Sequence, residues 1–267
     1  MRWRPTVLMP FILPLIMSAA SLQSAATADP AVLVIPLAVA NGATYVVDHR
    51  DERMLPDGTH AIFHQQHRLS FASDAGALIA TYRVIGTRCE GPAPICGAFA
   101  QLTGTLSGAD RRFGISVDGQ VSMLDAAGRV PSIGQGEGAA QVADVVDAHE
   151  RGAPGAIIAA DLRQLLRFVA VPLPVSGVPH AVAEGRLSVV AVAAEQVTVT
   201  IQRASADNGA GDGAGHAAAL VGDARCTISR ATGLVQACRF TDWLGADRTR
   251  PLRVREVRVT LATGPVS

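Results

Sequence analysis

Runs in which apolar and polar side chains alternate recur along most of the chain. Among them are "LIATYRVIGTR" from Leu78, "RLSVVAVA" from Arg186, "QVTVTIQR" from Gln196 and "VREVRVTLAT" from Val254. Successive side chains of an extended strand point to opposite faces, so a period of two marks strands with one face packed and the other wetted. Tight-turn signals separate the runs, including Asp57-Gly58, Asp118-Gly119 and Thr232-Gly233. Strands joined this closely must pair antiparallel. The pattern predicts strands over residues 32–44 (interrupted at Pro36), 45–50, 60–71, 78–88, 98–106, 112–117, 120–124, 186–193, 196–203 and 218–222. Two arms of a cysteine hairpin and a C-terminal strand follow, while "DERMLPDG" from Asp51 reads as a charged turn.

The middle of the chain changes period. "AAQVADVVDAHERG" carries Val142, Val145 and Val146 at helical spacing and stops at Gly152. Asp161 is expected to cap "LRQLLRFVAV", with Leu162, Leu165, Leu166 and Val169 on one side and an end before Pro172. The expected fold is α+β and predominantly antiparallel β. Two β-meanders, residues 29–138 and 173–267, form a curved sheet or half-barrel, with two short helices in a connector at residues 139–172. "LSGADRRFGISVDGQVSML" from Leu106 and "LVGDARCTISRATGLVQAC" from Leu220 share an Ile-Ser pair, a turn glycine and a following valine, consistent with duplication of one meander. As an architecture alone this resembles the half-barrel carriers of lipoproteins and lipids in bacterial envelopes, and no residue carries over from that likeness.

The N-terminus combines Arg2 and Arg4, an apolar run over residues 7–17 and the small-residue site Ala26-Thr27-Ala28. That is the order of a secretory signal peptide, with cleavage expected after Ala28. Pro10 and Pro14 break the run, which is too short for a good membrane span. The remaining chain is expected in the periplasm or outside the cell, with no transmembrane segment. Cleavage removes two arginines and no acid from a chain of 23 basic and 23 acidic residues. The remainder, near −2, offers no general attraction to nucleic acid. Every base is arginine, which excludes a lysine nucleophile or Schiff base.

Four cysteines in an exported chain read as two disulfides. In "CTISRATGLVQAC" a three-residue turn, Ala231-Thr232-Gly233, sets Arg230 opposite Leu234 and Cys226 opposite Cys238. Cys89 and Cys96 flank the proline-rich loop "EGPAPI" and form the other pair. The spacing is neither that of a C-x2-C zinc site nor that of a C-x-x-C redox pair.

Three of the seven histidines fall in "HAIFHQQHRL". A helix would put His60, His64 and His67 on one face, as three ligands of a zinc ion. A strand puts His60 and His64 on one side and His67 on the other. Ala61, Phe63, Leu69 and Phe71 alternate with His60, His64, Arg68 and Ser70, so the segment is expected to be a half-solvated strand with outward histidines. A metal would then need ligands from another strand. His49, His60 and His64 are the candidates, with Asp48, Asp51 and Glu52 nearby.

No G-x-S-x-G, H-E-x-x-H or phosphate-loop motif occurs, and no cofactor is implied. "GAGDGAGH" reads as a flexible loop. On the C-terminal strand the apolar positions change parity between Val254 and Val257. A bulge at Arg255-Glu256 would put Arg253, Arg255 and Arg258 together on an outer face. They are expected to blunt an edge strand, or alternatively to meet an anion or acidic partner. The functional expectation is a non-catalytic binding or structural module of the cell envelope, taking an apolar ligand or envelope component. The alternative is a metal-dependent or hydrolytic exported enzyme centred on His60 and His64.

Overall fold

The computed structural model of the protein describes residues 31–74, 76–124, 154–182, 185–203, 220–244 and 248–262. The leader, the expected helix at residues 139–152 and the glycine-rich loop with His216 lie outside the described residues. The strands are β1 (Val32–Leu33), β2 (Thr44–Met54), β3 (His60–Asp74), β4 (Ala77–Glu90), β5 (Arg111–Ile115), β6 (Val121–Met123) and β7 (Leu173–Pro174). They continue as β8 (His180–Val182), β9 (Gly185–Val192), β10 (Gln196–Arg203), β11 (Leu220–Ser229), β12 (Val235–Leu244) and β13 (Arg253–Leu261). Two helices are described, α1 (Ala93–Gly104) and α2 (Pro154–Leu166).

Eleven strands form one open antiparallel sheet in the order β6-β5-β4-β3-β2-β13-β12-β11-β10-β9-β8. Every neighbour is also a sequence neighbour except β2 and β13, which pair in continuous register from Arg53–Arg253 to Tyr45–Leu261. This ladder fuses the two meanders into one sheet. Its outermost strands, β6 and β8, are three residues each. The small ribbon β1–β7 lies apart from the sheet.

Several elements depart from their expected form. Residues 51–54 continue β2 because their charges are matched on both faces. Arg53 Nη2 bonds Asp51 Oδ2 at 2.7 Å on one, and Arg50 Nη2 bonds Glu52 Oε2 at 2.8 Å on the other. Residues 98–104 belong to α1 rather than to a strand. Ile95, Ala98, Phe99 and Leu102 have helical spacing, and proline occupies the first turn, where a missing N–H costs nothing. α2 starts at Pro154, so Asp161 lies inside the helix and caps nothing. Val169 lies beyond α2, bridged to Ile35. β13 carries no bulge and is an interior strand, so Arg253 and Arg255 share one face and Arg258 takes the other.

Both disulfides join the expected pairs. Cys89, on β4, holds Cys96 of α1 against the sheet, at a Cα separation of 5.4 Å. Cys226 faces Cys238 across β11–β12 by a different route from the expected turn. Ser229 N–H donates to Leu234 O, which makes the turn one residue longer, and a bulge beside Thr227 restores the pairing. Gly233 has φ 78°, and a Cβ there would meet Pro36 O at 2.5 Å, so this corner requires glycine. The homologous-looking hairpin is β5–β6, where Gly119 N–H bonds Ser116 O as Gly233 N–H bonds Ser229 O.

The core divides in two. Ile158, Leu162, Leu165 and Leu166 of α2 pack on Leu69, Phe71, Tyr82 and Phe113 of the first meander. Phe168, Leu173 and Ile35 cover Val197, Val199, Ile228 and the buried Cys226–Cys238 disulfide of the second. Among the described residues no helix is long and apolar enough to cross a membrane. Replacing both Cys226 and Cys238 with alanine should lower global stability by about 3 kcal/mol, read from denaturant midpoints, because that bridge lies inside a core. Replacing Cys89 and Cys96 should chiefly speed amide exchange in α1.

Candidate functional site

Between the two cores, at the centre of the sheet, the covered face turns polar. Phe63, Asp51, Arg255 and Phe240 stand side by side across β3, β2, β13 and β12. His49, two residues along β2, aligns with Gln65 and Val257. Charged side chains cannot be packed as core, so α1 and α2 stand off the sheet here and leave a cavity of about 440 Å³. Its apolar wall is Phe63, Ile95, Phe99, Leu102 and Ile157, with Phe63 and Phe99 rings 4.9 Å apart. Ile95, Leu102 and Ile157 remain 36%, 52% and 40% exposed, an apolar surface that none of the described residues covers. Single exposed aliphatics are ordinary, but here three converge on one cavity.

The polar wall is built on Asp51. It accepts hydrogen bonds from Arg253 Nε at 2.7 Å and from Arg53 Nη2 at 2.7 Å. Burial pushes its carboxyl upward, but the bonds from Arg253 and Arg53 prevail and hold it below the ordinary 3.8. Arg255 lies 4.8 Å over the Phe240 ring, and its buried Nε has no hydrogen-bond partner among the described residues. Arg255 and Gln164 also line an adjoining recess of about 370 Å³ together with Arg163, Arg167, Arg203 and Phe240. Arg203 is ion-paired to Asp242.

His49 of β2, His67 of β3 and Asp161 of α2 converge beside the cavity, each offering one ligand atom, all within 4.8 Å of one another. The two imidazoles meet edge to face at 4.9 Å, His67 lies 4.8 Å from the Tyr82 ring, and Tyr82 Oη is 3.4 Å from His49 Nε2. His67 is 2% exposed, and neither of its ring nitrogens has a hydrogen-bond partner among the described residues. Burial, with His49 adding, lowers the His67 pKa to about 3. His49 is also lowered, chiefly by burial, against the pull of Asp161 and Asp48. Burial raises the Asp161 carboxyl, opposed by His49 and Arg255.

His60 and His64 lie on the opposite face, as the alternation of β3 implies, and so do not join His49. His60 Nδ1 is 3.3 Å from Glu52 and His64 Nε2 is 3.6 Å from Glu90, both in solvated pairs. The sheet thus sets His60 and His64 on the face opposite His49. Arg258, exposed on that same face, is separated from Arg253 and Arg255. The residues that sequence reasoning missed are His67, counted into the apolar face, and Asp161, taken for a cap. Their signal is a polar residue breaking an otherwise apolar parity: His67 between Ala61 and Leu69, Asp161 between Ile158 and Leu162.

No protein-family model matches the chain, and a search of curated proteins finds no match. Its site is therefore read from geometry alone.

The Asp51 carboxyl has a lowered folded-state pKa, so its stabilisation is present above about 3.8 and is lost as pH falls through the folded value. His67, depressed as a base, costs stability progressively as pH falls from 6.5 to about 3 and keeps that full cost below, in any variant that retains it. Asp51→Asn should therefore lower stability by about 2 kcal/mol at pH 7, and the gap from the parent protein should narrow as pH falls below 3.8, measured by urea unfolding of both proteins at each pH.

Proposed function

We propose that the protein is an exported binding protein of the cell envelope that holds an amphipathic ligand, an apolar chain ending in an acidic group, between its helices and its sheet. The observation that carries this reading is the adjacency of an unpacked apolar wall to an arginine-lined recess, joined through Arg255 and Gln164. Burying Ile95, Leu102 and Ile157 against an acyl chain gains about 25 cal/mol for each Å² of apolar surface removed from water. An acidic group beside Arg255 gives a partly desolvated guanidinium the partner it lacks, the charge-assisted bond for which arginine's planar fork suits carboxylate and phosphate. Among the described residues lining the cavity there is no serine, threonine or cysteine. Export is supported by the leader-like N-terminus and by two disulfides, which persist in oxidising compartments.

Dodecanoate and dodecanol separate the two halves of this reading. Dodecanoate should displace a cavity-bound apolar dye at least about tenfold more tightly than dodecanol, a difference near 1.4 kcal/mol. Arg255→Gln should abolish the preference while the alcohol still binds, and Leu102→Arg should weaken both. Equal affinities for acid and alcohol in the parent protein, or no displacement by either, would sink the proposal.

A further inference from the structure

We propose that His49, His67 and Asp161 form a binding site for one divalent transition-metal ion, of which zinc is the probe, with its open coordination positions turned to the cavity. The three residues come from β2, β3 and α2, so the site spans the contact between helix and sheet. His49 and His67 lie on adjacent strands, offset by one pleat, since His49 pairs with Gln65 and Val47 with His67. This places the rings on one face close enough for the edge contact at 4.9 Å. Asp161 reaches them from above because it occupies the sheet-facing side of α2, one turn from the buried Ile158 and Leu165.

The independent pointer to an ion is His67. A neutral imidazole always has one N–H donor and one acceptor nitrogen, and both here are buried without a partner among the described residues. An unmet buried donor or acceptor costs about 1–3 kcal/mol, so its retention calls for a compensating ligand. A metal ion supplies one through the acceptor lone pair. Two imidazoles and one carboxylate select a borderline ion such as zinc, iron(II) or cobalt(II), while magnesium and calcium prefer sites made wholly of oxygen. Ligand atoms within 4.8 Å of one another need to close by at most roughly 1.4 Å to reach the tetrahedral spacing set by metal–ligand bonds of about 2.0–2.2 Å. Tyr82, 3.4 Å from His49 Nε2, is placed as the outer contact that orients a ligating imidazole. Three protein ligands leave room for a fourth from the cavity, to which His49 and Asp161 already contribute lining.

The purified protein, loaded with zinc and dialysed against metal-free buffer, should retain one equivalent by elemental analysis. Cobalt loading should give the visible absorption of a nitrogen- and oxygen-ligated ion. Asp161→Asn, which keeps shape, and His67→Phe should each lower zinc affinity at least about tenfold while circular dichroism confirms folding. The double variant His60→Ala, His64→Ala should still bind one equivalent. Retention of less than about a tenth of an equivalent by the parent protein overturns the site. So does full retention by folded Asp161→Asn and His67→Phe, or loss in the His60/His64 variant. Dodecanoate binding is measured with chelator present, so failure of the metal site leaves the ligand proposal standing on its own result.

Discussion

The β2–β13 ladder brings together strands that lie some two hundred residues apart in the chain, and the rest of the structure depends on it. Each meander on its own is a succession of local hairpins, whose contacts cost little loop entropy. Joining them requires the long closure, and the return is a continuous hydrogen-bonded register from Arg53–Arg253 to Tyr45–Leu261. The bond from Arg253 to Asp51 spans 202 residues and is the ionic counterpart of that ladder on the covered face. The two hydrophobic cores lie to either side of this junction, although Val257 of β13 packs with the first and α2 touches β12 as well as β6.

That division places chemistry where packing is weakest. In a sheet this wide, covering the middle strands with aliphatic side chains would have made one uninterrupted core. Instead β2 and β13 present His49, Asp51, Arg253 and Arg255 to the covered side. These residues forgo hydrophobic stabilisation at the most interior strands of the fold, which is the kind of local concession that sites of recognition make. Phe240 and Phe63 flank the polar stripe, so guanidinium groups find an aromatic face at either end: Arg255 on Phe240 and Arg53 on Phe63, 5.3 Å from its centroid.

Most of the sheet was legible from period-two alternation because antiparallel strands with one wet face leave that trace directly. β3 is the clearest case: Ala61, Leu69 and Phe71 are buried, while His60 and His64 meet solvent. The cysteine pairs were legible too, although the Cys226–Cys238 hairpin reaches its register through a longer turn and a compensating bulge. Two elements were misread for opposite reasons. α1 has so many small residues that "GAFAQL" alternates by accident, and its helical spacing emerges only when Ile95 is included. On β13, arginines occupy positions an apolar residue would normally hold, so the parity shift looked like a bulge although the backbone is regular. The site itself was half visible. His49 could be named, but its partners arrive from a different strand and a helix, and no spacing along the chain encodes that meeting.

The three-residue edges of the sheet carry a consequence for how the molecule behaves in a crowd. An eleven-stranded surface with long free margins would invite a neighbouring copy to add its own strand and extend into a fibril. With β6 and β8 so brief, a docking chain would find few backbone groups on them, and any added strand would have to seat on β4 beyond Tyr82 or on β9 beyond Leu187, which no described strand pairs on the outer side.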